Sequence, residues 1–181
     1  MIQIETDRLI LRELQLSDED RFYLMDSNPE VVKFIEPVKN REQVLMNIKS
    51  VQAQYKENGI GRWAVIEKES GLFIGWSGFK YYKDGVNNHS NYYDLGYRFI
   101  PEYWGKGYAT ETCVAWMKYG FENFNKNEFY ATTHIDHKAS KNVLEKVGFK
   151  YIETFDDEGD LTDWLKVTKE DWMKLNQTIY F

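Results

Sequence analysis

A chain of 181 residues suits one compact domain, expected here to span residues 1–181. Hydrophobic residues make up 43% and aromatic residues 17%, which excludes a disordered chain. The formal net charge of −6 speaks against a general nucleic-acid binder and fits a cationic second ligand such as an amine. No apolar run is long enough to span a membrane, and no basic-then-apolar amino terminus marks a signal peptide. Cys113 is the only cysteine, so no internal disulfide forms, and the cytoplasm is the expected compartment.

Residues 6–14 alternate apolar and polar side chains around Leu9 and Leu11, predicting a half-buried strand. Ser17-Asp18-Glu19-Asp20 predicts a helix start running toward Met25, and Asn28-Pro29-Glu30 breaks it and opens a short second helix. A longer helix is predicted over 40–56, with Val44, Ile48, Val51 and Tyr55 on one face and Asn58-Gly59 as its stop. Strands follow over 62–67, 72–81 and 92–100. Next comes a helix with the stripe Ala109, Cys113, Trp116, Met117, Gly120 and Phe124. A strand over 128–135 and a helix over 139–147, closed by Gly148, complete the central unit. Strands over 149–155 and 161–167 turn at Asp157-Glu158-Gly159, and Thr168 caps a last helix. The order is mixed α/β.

The segment Pro101-Glu102-Tyr103-Trp104-Gly105-Lys106-Gly107-Tyr108-Ala109-Thr110-Glu111 joins a strand to a helix through two glycines and a lysine. The first amides of a helix lack partners within it and point one way, and the helix dipole adds positive potential. Such a junction seats a phosphate or diphosphate, and glycine lets the main chain approach the anion.

This loop resembles the acetyl-coenzyme A loop of the GNAT N-acetyltransferases. Ala139-Ser140-Lys141-Asn142-Val143-Leu144-Glu145-Lys146-Val147-Gly148-Phe149 is similar to that family's second motif. The opening Glu5-Thr6-Asp7-Arg8-Leu9-Ile10-Leu11-Arg12 and the closing Thr168-Lys169-Glu170-Asp171-Trp172 resemble its RimJ/RimL-type branch, whose name-giving members acetylate ribosomal-protein amino termini. The resemblance implies a GNAT fold, α/β (α+β): a twisted, mixed and mostly antiparallel sheet flanked by helices, with a V-shaped splay between central strands. Acetyl-coenzyme A would lie in that splay. Its implied contacts are Gly105, Lys106, Gly107, Tyr108, Ala109 and Thr110 for the diphosphate, with Trp104 beside them. Phe99 and Ile100 would pair with the pantetheine arm as an added strand, and Asn142 belongs to the second motif. His137 stands where that motif normally carries Asn, and Trp104 where many relatives have Gln or Arg.

Acetyl transfer to an amine needs a base for the nitrogen, close alignment worth roughly 7–11 kcal/mol, a donor to the oxyanion and a proton for the thiolate. Backbone N–H groups near the end of the strand over 95–100 are the expected oxyanion donors. Many relatives take the thiolate's proton from a tyrosine where this chain has Leu144. In RimL-type relatives a serine has that role, which implies Ser140. Asp94, on the strand entering the cofactor site, is the leading base, with Glu153 as runner-up. Cys113 lies on a core stripe and reads as a buried hydrophobe rather than a nucleophile. His89, His134 and His137 give no metal-ligand spacing, so no metal is expected. The acceptor is read as a peptide amino terminus, a polyamine or an aminoglycoside-like amine, and homodimers occur among relatives. The competing reading is an acyl-coenzyme A-binding module or sensor without catalysis, and Leu144 and His137 favour it. A nucleoside triphosphate site is disfavoured because the longer glycine-lysine-serine/threonine loop is missing.

Overall fold

The computed structural model describes residues 3–177. Two short strands, β1 (Ile4–Glu5) and β2 (Leu9–Arg12), open the chain, and the alternation along β2 buries Leu9 and Leu11 completely. Asp18 then receives the Gln15 amide and a two-pronged Arg12 guanidinium, which fixes the bend into α1 (Glu19–Asp26). Asn28 Oδ1 accepts the Glu30 amide and starts the one-turn helix α2 (Pro29–Val32). Helix α3 (Arg41–Asn58) begins where Asn40 and Gln43 cap each other's amides reciprocally, and Gly59 ends it.

An antiparallel meander follows: β3 (Trp63–Glu67), β4 (Phe73–Tyr82) and β5 (Tyr92–Phe99). Then come α4 (Tyr108–Asn123), β6 (Glu128–His134), α5 (Lys138–Lys146), β7 (Lys150–Asp157), β8 (Asp160–Thr168) and α6 (Lys169–Gln177). Thr168 does cap α6, its Oγ1 accepting the Asp171 amide at 3.1 Å. The eight strands form one sheet of order β1-β2-β3-β4-β5-β6-β8-β7. The β7–β8 hairpin therefore enters with its second strand next to β6, leaving β7 at the edge.

The parallel pair in this otherwise antiparallel sheet is β5 with β6, and it is joined at a single register pair, Asp94 opposite Tyr130. Beyond that pair β5 and β6 no longer pair with each other, while each keeps its partner on its other edge. β5 follows β4 as far as Gly75 opposite Phe99, and β6 follows β8 as far as His134 opposite Thr162. The result is the mixed sheet with a splay that the resemblance implies.

Helices cover both faces. Cys113, Trp116 and Met117 of α4 and Leu144 of α5 pack with Leu95 and Phe99 of β5 on one face. Phe22, Met25, Val44 and Ile48 of α1 and α3 pack with Ala64, Phe73 and Trp76 on the other. Each fully buried Leu, Ile, Met or Phe side chain contributes about 1.5–3 kcal/mol, and the two cores clamp the sheet from both faces. Among the described residues no helix is long and apolar enough to cross a membrane.

Candidate active site

Alternation along β5 divides its side chains between the two faces of the sheet. Asp94, Gly96 and Arg98 face the side of α1, where Arg98 meets Asp26 at 2.6 Å and Glu36 at 2.8 Å. Leu95, Tyr97 and Phe99 face α4 and α5. Asp94 thus sits where the strands part, on the α1 side, and is buried to 4% exposure.

Its carboxylate accepts from Arg62 at 2.8 Å, and Thr132 Oγ1 lies at 3.5 Å. Burial pushes the Asp94 carboxyl above the ordinary carboxylate value, and Arg62 only partly opposes it. The Arg62 guanidinium lies flat on the strand at Gly96, where a Cβ would come within 2.8 Å of it. A side chain at 96 would therefore displace the Arg62 guanidinium. Trp76 carries Arg62 and Arg98 over its ring, at 4.7 and 5.2 Å. Phe34, from the connection between α2 and α3, rests on His134 and His137 with centroids 5.3 and 5.0 Å away. These groups wall the α1 side of the opening.

On the other side the glycine loop leads into α4. Gly105 and Gly107 have φ of +72° and +81°, a region that disfavours side chains, and a Cβ on Gly105 would meet nothing within 4 Å. Gly107 is the N-cap of α4, and no side chain caps the helix there. A glycine cap leaves the amides of the first turn without a capping oxygen of its own, the arrangement that suits a diphosphate. The loop is held from behind. Arg8 donates to the Lys106 carbonyl at 2.9 Å and pairs with Glu111 at 2.6 Å, and Thr6 Oγ1 donates to Glu111 at 2.5 Å. The opening and glycine-loop motifs thus form one physical unit.

The other expected contacts divide. Ala109 and Thr110 lie in the first turn of α4, while the Tyr108 ring is buried and its hydroxyl donates to Glu67 at 2.6 Å. Only the Tyr108 main chain is left for an anion. Lys106 is exposed, with its ammonium 5.0 Å from the Tyr103 ring centroid. The pairing expected of Ile100 needs correction, because its amide is spent on the Ile74 carbonyl at 3.0 Å. Alternation turns the Ile100 amide toward β4 and leaves the main-chain groups of Tyr97 and Phe99 toward the gap. Trp104 already occupies the Phe99 carbonyl, its indole N–H donating at 2.8 Å.

His137 is the N-cap of α5, where its Nδ1 accepts the Ser140 amide at 3.0 Å. Asn142 is exposed on the same helix. Ser140 Oγ lies 3.1 Å from the hydroxyl of Tyr97, which reaches across from β5. Glu153 requires the second correction: it is exposed on the edge strand, with β6 and β8 between it and β5, and accepts from Asn87 at 2.9 Å. The β8 insertion moved it away from Asp94. Cys113 is fully buried and its thiol is pushed up, so it does not act as a nucleophile. Among the described residues no group of three or more His, Cys, Asp and Glu side chains gathers to hold a metal. Arg62, Tyr97 and Arg98 belong to no motif that the sequence displays. Their partners lie 32, 43 and 72 residues away, beyond any local spacing signal.

A sheet opened at one parallel pair beside a glycine-led helix is the arrangement that the resemblance to acyltransferases implies. A family model described as "Acetyltransferase (GNAT) domain" matches residues 8–150. The chain is 31% identical to the uncharacterized N-acetyltransferase YoaA of Bacillus subtilis, over 81% of this chain and 82% of that one. It is 27% identical to the FsC-acetyl coenzyme A-N(2)-transacetylase of Aspergillus fumigatus, over 96% and 79% of the two chains. In fold it is similar to RimL, a ribosomal L7/L12 alpha-N-protein acetyltransferase solved with coenzyme A. That likeness has a TM-score of 0.77 and 16% identity, covering 92% of this chain and 98% of RimL. The chain belongs to the GNAT acetyltransferase family, whose members use acetyl-coenzyme A as co-substrate.

Proposed function

We propose that this chain transfers the acetyl group of acetyl-coenzyme A directly to a primary amine while both are bound. The observation that carries the reading is the single-pair junction of β5 and β6, with Asp94 on one face of the opening and Ser140 on the other. Acetyl-coenzyme A supplies an activated thioester when bound. The uncapped first turn from Gly107 to Thr110 offers amides to its diphosphate, and Lys106 adds a positive charge. The main chain of Tyr97 and Phe99 lines the arm of the gap.

Asp94 is the proton acceptor for the incoming amine, directly or through one water. Its buried setting suits that role, because a carboxylate lifted above its ordinary value holds a proton more readily. Main-chain N–H groups of β5 beyond the junction donate to the carbonyl oxygen as charge develops on it. Ser140 stands on the side where sulfur leaves, and His137 holds it there through its amide.

The acceptor proposed first is a peptide amino terminus. The opening motif and the closing Thr168-Lys169-Glu170-Asp171-Trp172 support a RimJ/RimL-type reading, and the likeness to RimL is compatible with it. One observation favours a binding module instead: Arg62 already holds the Asp94 carboxylate at 2.8 Å. Thiol release from acetyl-coenzyme A separates the two readings, with a serine-initiated peptide, spermine and kanamycin as acceptors. Turnover on one of them is expected. Tight coenzyme A binding without turnover on any would favour the module.

A further inference from the structure

Tyr97 spans the gap. From β5 its hydroxyl lies 2.9 Å from the Ser140 carbonyl and 3.1 Å from Ser140 Oγ, so one phenol ties the strand to α5 across the splay. It stands three residues beyond Asp94, about 10 Å along the strand, and on the opposite face of the sheet. Leu144, one turn after Ser140, is 1% exposed and puts only hydrocarbon at the place where a phenol on α5 would stand.

We propose that Tyr97 is the catalytic acid, giving its hydroxyl proton to the sulfur as it departs, and that Ser140 aims the phenol. This rests on the acetyl-transfer reading above. Either hydroxyl can act as donor in the Tyr97–Ser140 contact. At rest the Tyr97 hydroxyl donates to the Ser140 carbonyl at 2.9 Å; as its proton leaves that carbonyl for sulfur, the Ser140 hydroxyl donates to the Tyr97 oxygen and stabilises the phenolate left behind. Burial pushes the phenol up and so weakens it as an acid, and the hydrogen bond with Ser140 opposes that shift, which is the part Ser140 plays in the transfer.

Atoms and electrons balance. The nitrogen lone pair forms the new N–C bond and its surplus proton passes to Asp94. The C–S bond breaks with its electron pair on sulfur, which takes the Tyr97 proton. Between turnovers Asp94 releases one proton to solvent and Tyr97 recovers one, leaving amide and thiol as the net products.

The test compares Tyr97→Phe and Ser140→Ala in thiol release with the same three acceptors, and in ultraviolet titration of the thiol of bound coenzyme A. In Tyr97→Phe, kcat is expected to fall about 10²-fold or more with KM for acetyl-coenzyme A nearly unchanged. The bound thiol should then titrate about 1–2 pH units higher, because the thiolate has lost a hydrogen bond. In Ser140→Ala the thiol titration is expected to stay near wild type, with kcat reduced no more than about tenfold. Unchanged kcat and titration in Tyr97→Phe would overturn the assignment and leave acetyl transfer standing. The assignment also falls if Ser140→Ala alone reproduces the full loss, an outcome readable even were Tyr97→Phe to misfold. A wild-type protein that neither binds coenzyme A nor acetylates any acceptor would overturn both readings.

Discussion

His137 accepts the Ser140 amide through Nδ1 at 3.0 Å, so an imidazole starts α5 where relatives of the family carry an asparagine. Only the neutral ring has that lone pair free. Burial, with His134 nearby, holds the His137 imidazole below its ordinary value. The unfolded chain therefore binds more protons between the folded value and about 6.5, and stability falls as pH drops through that window. Above it the contribution is fully present. Melting temperature between about pH 7.5 and pH 5.5 should decline more steeply in wild type than in His137→Asn, which caps without titrating. Equal slopes would remove the capping role.

Asp94 has the opposite sign. Its folded value is raised, so the folded chain holds the proton longer and its ionisation costs stability as pH rises from about 3.9 to the raised value. Activity runs the other way, since the base works only when ionised. Asp94→Asn is expected to lower kcat/KM by about 10²–10⁴ and to abolish the acidic limb of the wild-type profile. That limb should lie above the ordinary carboxylate range. Initial rates against pH for both proteins decide it, and a limb that persists in Asp94→Asn assigns the base elsewhere.

Gly107 has φ +81°, and a Cβ there would meet nothing closer than the Arg8 guanidinium at 3.5 Å. The cost of Gly107→Ala is thus conformational, about 1–2 kcal/mol. Its methyl group also intrudes where an anion would approach the amides. Urea unfolding should show the stability loss, and calorimetry with coenzyme A should show affinity lowered about tenfold or more. Undiminished affinity would separate this loop from the cofactor.

Glu111 gathers the Thr6 hydroxyl, the Arg8 amide and the Arg8 guanidinium. The ion pair alone is worth little, because the Arg8 side chain is 47% exposed. Glu111→Ala also removes the acceptor of the Thr6 hydroxyl and of the Arg8 amide, so a loss of about 1 kcal/mol is expected in urea unfolding. Faster hydrogen exchange at residues 105–108 should accompany it. An unchanged loop would mean that the clamp is incidental.

The periodic elements are readable from the chain because their signals are local. Gly59 and Thr168 act as the stop and the cap that the sequence suggests, while Asn40, read as the first helical residue, is the N-cap of α3. The stripe of Cys113, Trp116, Met117 and Gly120 faces the core as its spacing implies. The glycine loop is legible for the same reason, since positive φ and an uncapped helix start are properties of a few adjacent residues. A strand's register and neighbours depend instead on pairings across the sheet. Nothing near Glu153 in the chain reveals that β8 lies between its strand and β6, and Ile100 gives no local sign of which way its amide points. Tyr97 and Ser140 meet over 43 residues of separation, and Arg62 and Asp94 over 32. Short-range geometry sets caps, turns and amphipathic faces; charge pairing and proton donors at the opening arise only when distant strands close on one another.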